Sequence, residues 1–236
     1  MTPPASSESP LQIGMLLYPK LTQLDLTGPF EVFSRMSNTQ VHLLWKTRDP
    51  VMSDGGLALL PTMTLDECPQ LDVVFVPGGA GQTALMDDTA VLGFLAKHGA
   101  TARYVTSVCT GSLVLGAAGL LKGCKAACHW MSRDQLALLG AIPVAERVVV
   151  DGNRITGGGV TAGIDFGLNL AALLRGEAEA KRIQLQMEYD PEPPFDAGSP
   201  ESAGPELVAA LKKRLEPFLA ARREATLRAQ AKLDAR

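Results

Sequence analysis

The sequence predicts a single α/β domain whose central sheet is mostly parallel and is covered by helices on both faces. Short, continuously apolar segments alternate with segments of helical spacing, which is typical of strands buried on both faces and of the helices that connect them. The chain has 236 residues, of which 46 % are hydrophobic and 20 % charged, a profile that suits one sizeable core. Its 23 glycines favour tight turns between the elements.

The order of these segments gives the predicted elements. We predict strands at residues 12–18, 41–45, 72–76, 104–108 and 125–128, a hairpin at 51–61, and a strand pair at 147–156 that turns at Gly152 and Asn153. We predict helices at residues 30–36, 90–102, 112–118, 132–139, 162–174, 177–187 and 206–236.

The predicted organisation has three parts. Residues 1–11 are expected to be a flexible N-terminal segment, and residues 12–188 the α/β domain. Residues 189–236 combine a linker rich in Pro, Gly and Ser with a charged C-terminal helix, which we expect to pack on the domain or on a dimer partner.

Charge and composition exclude several function classes. The formal net charge is −3 and no basic stripe is present, so nucleic acid is not an expected partner. No apolar run reaches the roughly 18 residues of a membrane span, and the start lacks a basic region followed by an apolar one. We expect a cytoplasmic protein whose four cysteines are reduced.

Cys109 lies where a predicted parallel strand ends and a helix begins. Thr110 and Gly111 suit a sharp turn there, which places the thiol at the carboxyl edge of the sheet, where open α/β sheets bind ligands. A helix N-terminus also lowers a thiol pKa. We therefore interpret Cys109 as a nucleophile that is ionised at neutral pH, the alternative being a small buried hydrophobic residue.

Asp25 is predicted to lie in a loop between two apolar neighbours. Partial dehydration there would raise the pKa of its carboxyl, which suits a general acid. The alternative interpretation is an N-terminal cap for the helix near Pro29.

Gly78 and Gly79 directly follow a predicted strand and could supply backbone N–H donors for an anion hole, although a plain turn also fits. Cys124, Cys128 and His129 share one short segment whose side chains alternate between faces, and no fourth ligand has matching spacing. We interpret these three as core residues and expect no metal site.

Four segments resemble the ThiJ/PfpI superfamily, which is related to class I glutamine amidotransferase domains, and the resemblance runs over residues 12–187. The segments are LTQLDLTGPFEVF from Leu21, DVVFVPGGAG from Asp72, YVTSVCTGSLVLGAAGLL from Tyr104 and ITGGGVTAGIDFGL from Ile155. RVVVDGNRITGGG, the QLQMEYDPEPPFDAGSP linker and the last helix are similar to the isocyanide hydratase branch.

The resemblance implies a flavodoxin-like sandwich, a homodimer, and neither metal nor organic cofactor. It implies Cys109 as nucleophile, Asp25 as its acidic partner and Thr110 as an active-site hydroxyl, with Gly78 and Gly79 as backbone donors. Many superfamily members carry Glu where this chain has Asp25. Protease-like members carry His directly after the cysteine, so Thr110 argues against peptide hydrolysis.

The hydratase branch implies that an isocyanide and water give an N-substituted formamide through a thioimidate on Cys109, with Asp25 supplying the proton. Three alternatives stay open: a glyoxalase-like enzyme or hydrolase of the same superfamily, a redox or ligand sensor, and the ligand domain of an AraC-like regulator. The regulator is disfavoured because the residues after the linker lack two helix-turn-helix units.

Overall fold

The predicted sheet is present in a computed structural model, which describes residues 9–235. Most of the predicted flexible segment, residues 1–8, lies outside the described residues. The strands are β1 (Leu11–Leu16), β2 (Thr39–Trp45), β3 (Val51–Met52), β4 (Ala58–Leu59), β5 (Met63–Thr64), β6 (Val73–Val76), β7 (Tyr104–Val108), β8 (Lys125–Ala126), β9 (Ile142–Pro143), β10 (Val148–Asp151) and β11 (Arg154–Gly157).

Seven of these strands form the central sheet in the order β10-β11-β7-β6-β1-β2-β5. All neighbouring pairs are parallel except β10 and β11, which form an antiparallel hairpin at one edge. The mostly parallel sheet is thus confirmed. The two predicted hairpins are also confirmed, because β3 pairs antiparallel with β4.

Helices cover both faces of this sheet. They are α1 (Gln23–Phe33), α2 (Gln82–Leu85), α3 (Thr89–Gly99), α4 (Gly111–Ala117), α5 (Ala162–Arg175), α6 (Glu177–Gln186), α7 (Pro200–Ala203), α8 (Pro205–Arg214) and α9 (Glu216–Asp234), with a 3₁₀-helix at Arg133–Leu139. No helix among residues 9–235 combines the length and the apolar character needed to cross a bilayer.

Three aromatic rings lie at the centre of the core beside the sheet. Phe75 of β6 packs against Phe33 of α1 and Phe166 of α5, with ring centroids 6.3 and 5.5 Å away. All three rings are fully buried, and burying a large apolar side chain contributes about 1.5–3 kcal/mol. This core fixes α1 against the sheet and hence positions Asp25.

The first helix begins earlier than the sequence predicts. It starts at Gln23, so Asp25 lies in its first turn and not in a loop, and Pro29 lies in the helix interior. Proline is unfavourable there because it cannot donate a backbone hydrogen bond. Packing compensates: a Cβ at Gly163 of α5 would lie only 3.0 Å from the Pro29 ring, so the two helices approach closely.

The C-terminal helix is present, but the prediction of one continuous helix over residues 206–236 is wrong. The chain forms α8 and α9 with a break at Leu215, and Pro217 in the first turn of α9 lacks the N–H that a continuous helix would need. The preceding linker also contains the short helix α7, capped by Ser199. The buried side chains of α9 contact the α/β unit of the same chain.

Candidate active site

Cys109 occupies the sharp turn between β7 and α4. Its φ is +55°, a left-handed conformation that costs energy for any residue with a side chain and that clusters at functional sites. The Cys109 N–H donates to the carbonyl oxygens of Gly157 and Gly158, at 3.1 and 2.7 Å. These bonds hold the turn, so the predicted strand, turn and helix around the cysteine are confirmed.

Asp25 is fully buried and lies beside Cys109. A Cβ on Gly78 would lie 2.6 Å from Asp25 Oδ2 and 2.7 Å from Cys109 Cβ, so glycine leaves just enough room for both side chains. Neither carboxyl oxygen has a hydrogen-bond partner of normal geometry among residues 9–235. Burial raises the Asp25 pKa to about 7, although the Cys109 thiol and the Gly78 amide partly oppose this rise. The expected raised pKa is confirmed.

The Cys109 pKa departs from the sequence-based expectation. Burial raises it well above its usual range, the charges of Asp25 and Cys128 raise it further, and the Thr110 backbone N–H offsets only part of this. The lowered thiol pKa that the sequence predicts is not found, because burial outweighs the effect of the short helix α4. The site thus pairs a buried cysteine with a carboxyl group whose pKa lies near 7.

The Thr110 side chain and the Gly79 backbone are hydrogen-bonded to each other. The Gly79 N–H donates to Thr110 Oγ1 at 3.1 Å, and the Thr110 hydroxyl is buried. Gly79 has a φ of +139°, which favours glycine, and a Cβ there would clash with the Leu21 and Thr22 backbone. The Gly79 donor that we expected in an anion hole is thus occupied by the threonine hydroxyl, while the Gly78 amide faces Asp25.

A cavity of about 240 Å³ lies beside Cys109, Thr110 and Gly79. It is small enough to select compact molecules, and its walls are both apolar and polar. Besides Gly79, Cys109 and Thr110, its walls include Asp54, His129, Val160, Phe218 and Arg222. Three of the five predicted site residues line this cavity, and Asp25 and Gly78 pack directly against Cys109. The structure therefore brings all five together.

The sequence predicts a core position for His129, but the structure places this residue in the wall of the cavity. Burial and the Arg222 charge lower its pKa to about 4, so it is neutral at neutral pH. Its neighbour Cys128 is a buried thiol whose pKa burial raises to about 12. In the described part of the chain, no three His, Cys, Asp or Glu side chains are grouped as metal ligands.

Arg222 is the site residue that sequence reasoning missed. It lies on α9, where its Nε donates to Gln82 Oε1 and its Nη1 to Ser132 Oγ, each at 2.9 Å. Its guanidinium carbon also lies 4.4 Å from the centre of the Phe218 ring. One signal was available: the small residues Ala225, Thr226 and Ala229 follow Arg222 at helical spacing and mark the buried face.

Comparison with known proteins agrees with this architecture. A sequence model of the DJ-1/PfpI family matches residues 12–173. The chain is 57 % identical over 226 residues to the isonitrile hydratase of Pseudomonas putida, covering 96 % of this chain and 99 % of that protein. A crystal structure of a THiJ/PfpI family protein from Pseudomonas syringae superposes with a TM-score of 0.90 at 49 % identity, covering 92 % of this chain and 91 % of that one.

A more distant similarity links the chain to a regulator. It is 29 % identical over 195 residues to the HTH-type transcriptional regulator GbdR of Pseudomonas aeruginosa, covering 79 % of this chain but 53 % of the regulator. The similarity thus leaves about half of the regulator unmatched. The family match, in contrast, spans more than half of this chain and contains Cys109 and Asp25. The chain belongs to the DJ-1/PfpI family.

Proposed function

We propose that the protein hydrates isocyanides to N-substituted formamides through a covalent thioimidate on Cys109. The observation that carries the proposal is a strained cysteine whose thiol lies beside a buried carboxyl, Asp25, with a pKa of about 7, next to a small cavity. The similarity to a protein named isonitrile hydratase supports the substrate class.

The first half of the reaction transfers one proton within the pair. Ionised Asp25 accepts the Cys109 thiol proton as the sulfur attacks the terminal carbon of the isocyanide. The electron pair that develops on that carbon then takes the same proton back from Asp25. The product is a thioimidate, R–N=CH–S–Cys109, and the carboxylate is regenerated. A pKa of about 7 suits a group that must accept and then donate a proton at neutral pH.

The second half consumes water. The Asp25 carboxylate removes a proton from a water molecule that adds to the thioimidate carbon, and the same proton then passes from Asp25 to the nitrogen. Thr110 is the residue proposed to orient this water, since it lines the cavity and carries a hydroxyl that accepts a hydrogen bond from the Gly79 N–H. Collapse of the tetrahedral intermediate then breaks the C–S bond. The new hydroxyl group passes its proton through Asp25 to the departing Cys109 sulfur, and the formamide is released.

An assay panel tests the substrate class. Purified protein is incubated separately with simple isocyanides, 2-oxoaldehydes and peptides, and the products are quantified. We expect formamide from the isocyanides and no comparable turnover of the other two classes. Turnover of a 2-oxoaldehyde or a peptide alone would identify a different enzyme of the family, and no turnover at all would favour a sensor.

Two variants test the chemistry within this assay. Cys109→Ala should abolish formamide production, whereas Cys124→Ala should leave it unchanged because Cys124 lies outside the cavity wall. We also propose that neither a metal nor an organic cofactor is required. Full activity after treatment with a chelator and desalting is the expected result, and loss that added metal restores would contradict it.

A further inference from the structure

Arg222 is a buried cation whose hydrogen-bond partners are all neutral. It is 4 % exposed, and its partners are the amide oxygen of Gln82 and the hydroxyl of Ser132. Within residues 9–235 it forms no ion pair, and its Nη2 has no hydrogen-bond partner. Burying a cation without an anion is costly, so a group that becomes negative nearby is expected.

The titratable groups that face Arg222 are Tyr18, Cys109, Cys128 and His129. Tyr18 is an unsuitable anion, because its hydroxyl donates to the Pro77 carbonyl oxygen and burial raises its pKa well above the usual range. His129 cannot become an anion at neutral pH.

Among the remaining candidates, Cys128 does not line the cavity that Arg222 lines, so a small molecule in this cavity cannot reach its sulfur. The charged side chains of the adjacent 3₁₀-helix, Arg133 and Asp134, are absent from the walls of this cavity. Asp54 does line the cavity, but its carboxylate is bound by the Thr22 hydroxyl and forms no ion pair with Arg222. Cys109 is therefore the group that can turn negative during a reaction.

We propose that Arg222 is a positioning residue that stabilises the Cys109 thiolate, both when the sulfur attacks and when it leaves. Both side chains line the same cavity, and the Arg222 guanidinium carries the charge opposite to that of a thiolate formed there. The two hydrogen bonds and the Phe218 ring hold the guanidinium in place, so little reorganisation is needed when the thiolate forms. The identity of the electrophile that the thiolate attacks rests on the proposed function. The stabilisation of the thiolate by Arg222 is independent of that function.

This role makes the C-terminal helix part of the active site. The region that the family model matches ends at residue 173, so Arg222 is supplied by a segment outside that region. This C-terminal segment adds a cation to a cysteine site whose other residues, including Asp25 and Cys109, lie within the matched region.

The test measures the pH dependence of Cys109 alkylation by iodoacetamide, with the modified peptide quantified by mass spectrometry. Removing the charge in Arg222→Gln or Arg222→Met should raise the midpoint by at least about one pH unit, the usual effect of a nearby opposite charge. Arg222→Lys should stay within about half a unit. Arg223→Gln is the matched control, because Arg223 is the exposed neighbour that pairs with Asp134, and it should not shift the midpoint.

Each outcome decides the proposal. An unchanged midpoint in a folded Arg222→Gln or Arg222→Met protein would overturn it, and so would failure of both variants to fold, which would assign Arg222 a structural role. The readout needs no isocyanide. A shifted midpoint in a protein that turns over no isocyanide would reject the proposed function alone, while an unshifted midpoint with intact hydratase activity would reject this inference alone.

Discussion

At the scale of single residues, the Asp25 carboxyl sets how the protein responds to pH. Its pKa in the folded chain is about 7, whereas its ordinary value is 3.8. The folded state therefore binds this proton more tightly than the unfolded state does. The resulting stabilisation is fully present below the unfolded value and is lost as the pH rises through about 7, at about 1.4 kcal/mol per pH unit between the two values.

Asp25→Asn should remove this pH-dependent loss of stability. We expect the variant to exceed the wild type in melting temperature by more at pH 8 than at pH 5, while turnover at pH 7 falls on the order of 10²-fold or more because the general acid and base is gone. Thermal unfolding at the two pH values and a formamide assay measure both effects. An equal stability difference at pH 5 and pH 8 would contradict the raised pKa.

The pH dependence of kcat/KM follows from the ionisation of Asp25 and Cys109. The active form holds one proton between Asp25 and Cys109, and acid adds a second proton that prevents the carboxylate from accepting the thiol proton. We expect kcat/KM to rise with pH to a plateau, with an apparent pKa near 7 that belongs to the pair. A profile that is flat from pH 5.5 to 8.5 would show that no such ionisation controls the reaction.

At the scale of elements, the site depends on how closely β6, α1 and α4 approach one another at Gly78. A Cβ there would lie 2.6 Å from Asp25 Oδ2 and 2.7 Å from both Cys109 Cβ and the Thr110 nitrogen. The Thr110 backbone and the strained Cys109 cannot move away easily from an added Cβ. Gly78→Ala should therefore destabilise the fold by about 1–3 kcal/mol and reduce turnover strongly.

Gly55→Ala is the matched control for this substitution, since no atom lies within 4 Å of a Cβ built at Gly55. Chemical denaturation and the formamide assay should show the control close to the wild type. Wild-type activity in Gly78→Ala would mean that the proximity of Asp25 and Cys109 does not matter.

Much of this arrangement could be predicted from the sequence, because strand ends and turns have local signals. The apolar run before Cys109 and the Thr110 and Gly111 turn predict the corner that is observed. The start of α1 could not be predicted, because Pro29 indicates a helix start locally and only packing on Gly163 makes it acceptable inside the helix. The direction of the Cys109 pKa shift could not be predicted for a related reason, because burial of this thiol is a property of the assembled site.

At the scale of the whole molecule, the C-terminal segment completes the cavity. Phe218 and Arg222 of α9 line it together with residues from the sheet edge. Sequence reasoning assigned this helix a charged, amphipathic character but could not show which residue enters the site, since that depends on contacts with Gln82 and Ser132 far away in the chain.

The assembly state is also a property of this scale. A homodimer of this chain stays a prediction. Light scattering after gel filtration should give twice the chain mass of 25.0 kDa. A mass equal to one chain at micromolar concentration would exclude a stable dimer.

The most direct test of the account is intact mass spectrometry after brief exposure to a simple isocyanide and an acid quench. We expect an added mass equal to one isocyanide per chain, located on the Cys109 peptide, absent from Cys109→Ala and appearing no later than the formamide. Formamide production at the wild-type rate by Cys109→Ala, or an adduct confined to another cysteine, would contradict the covalent mechanism.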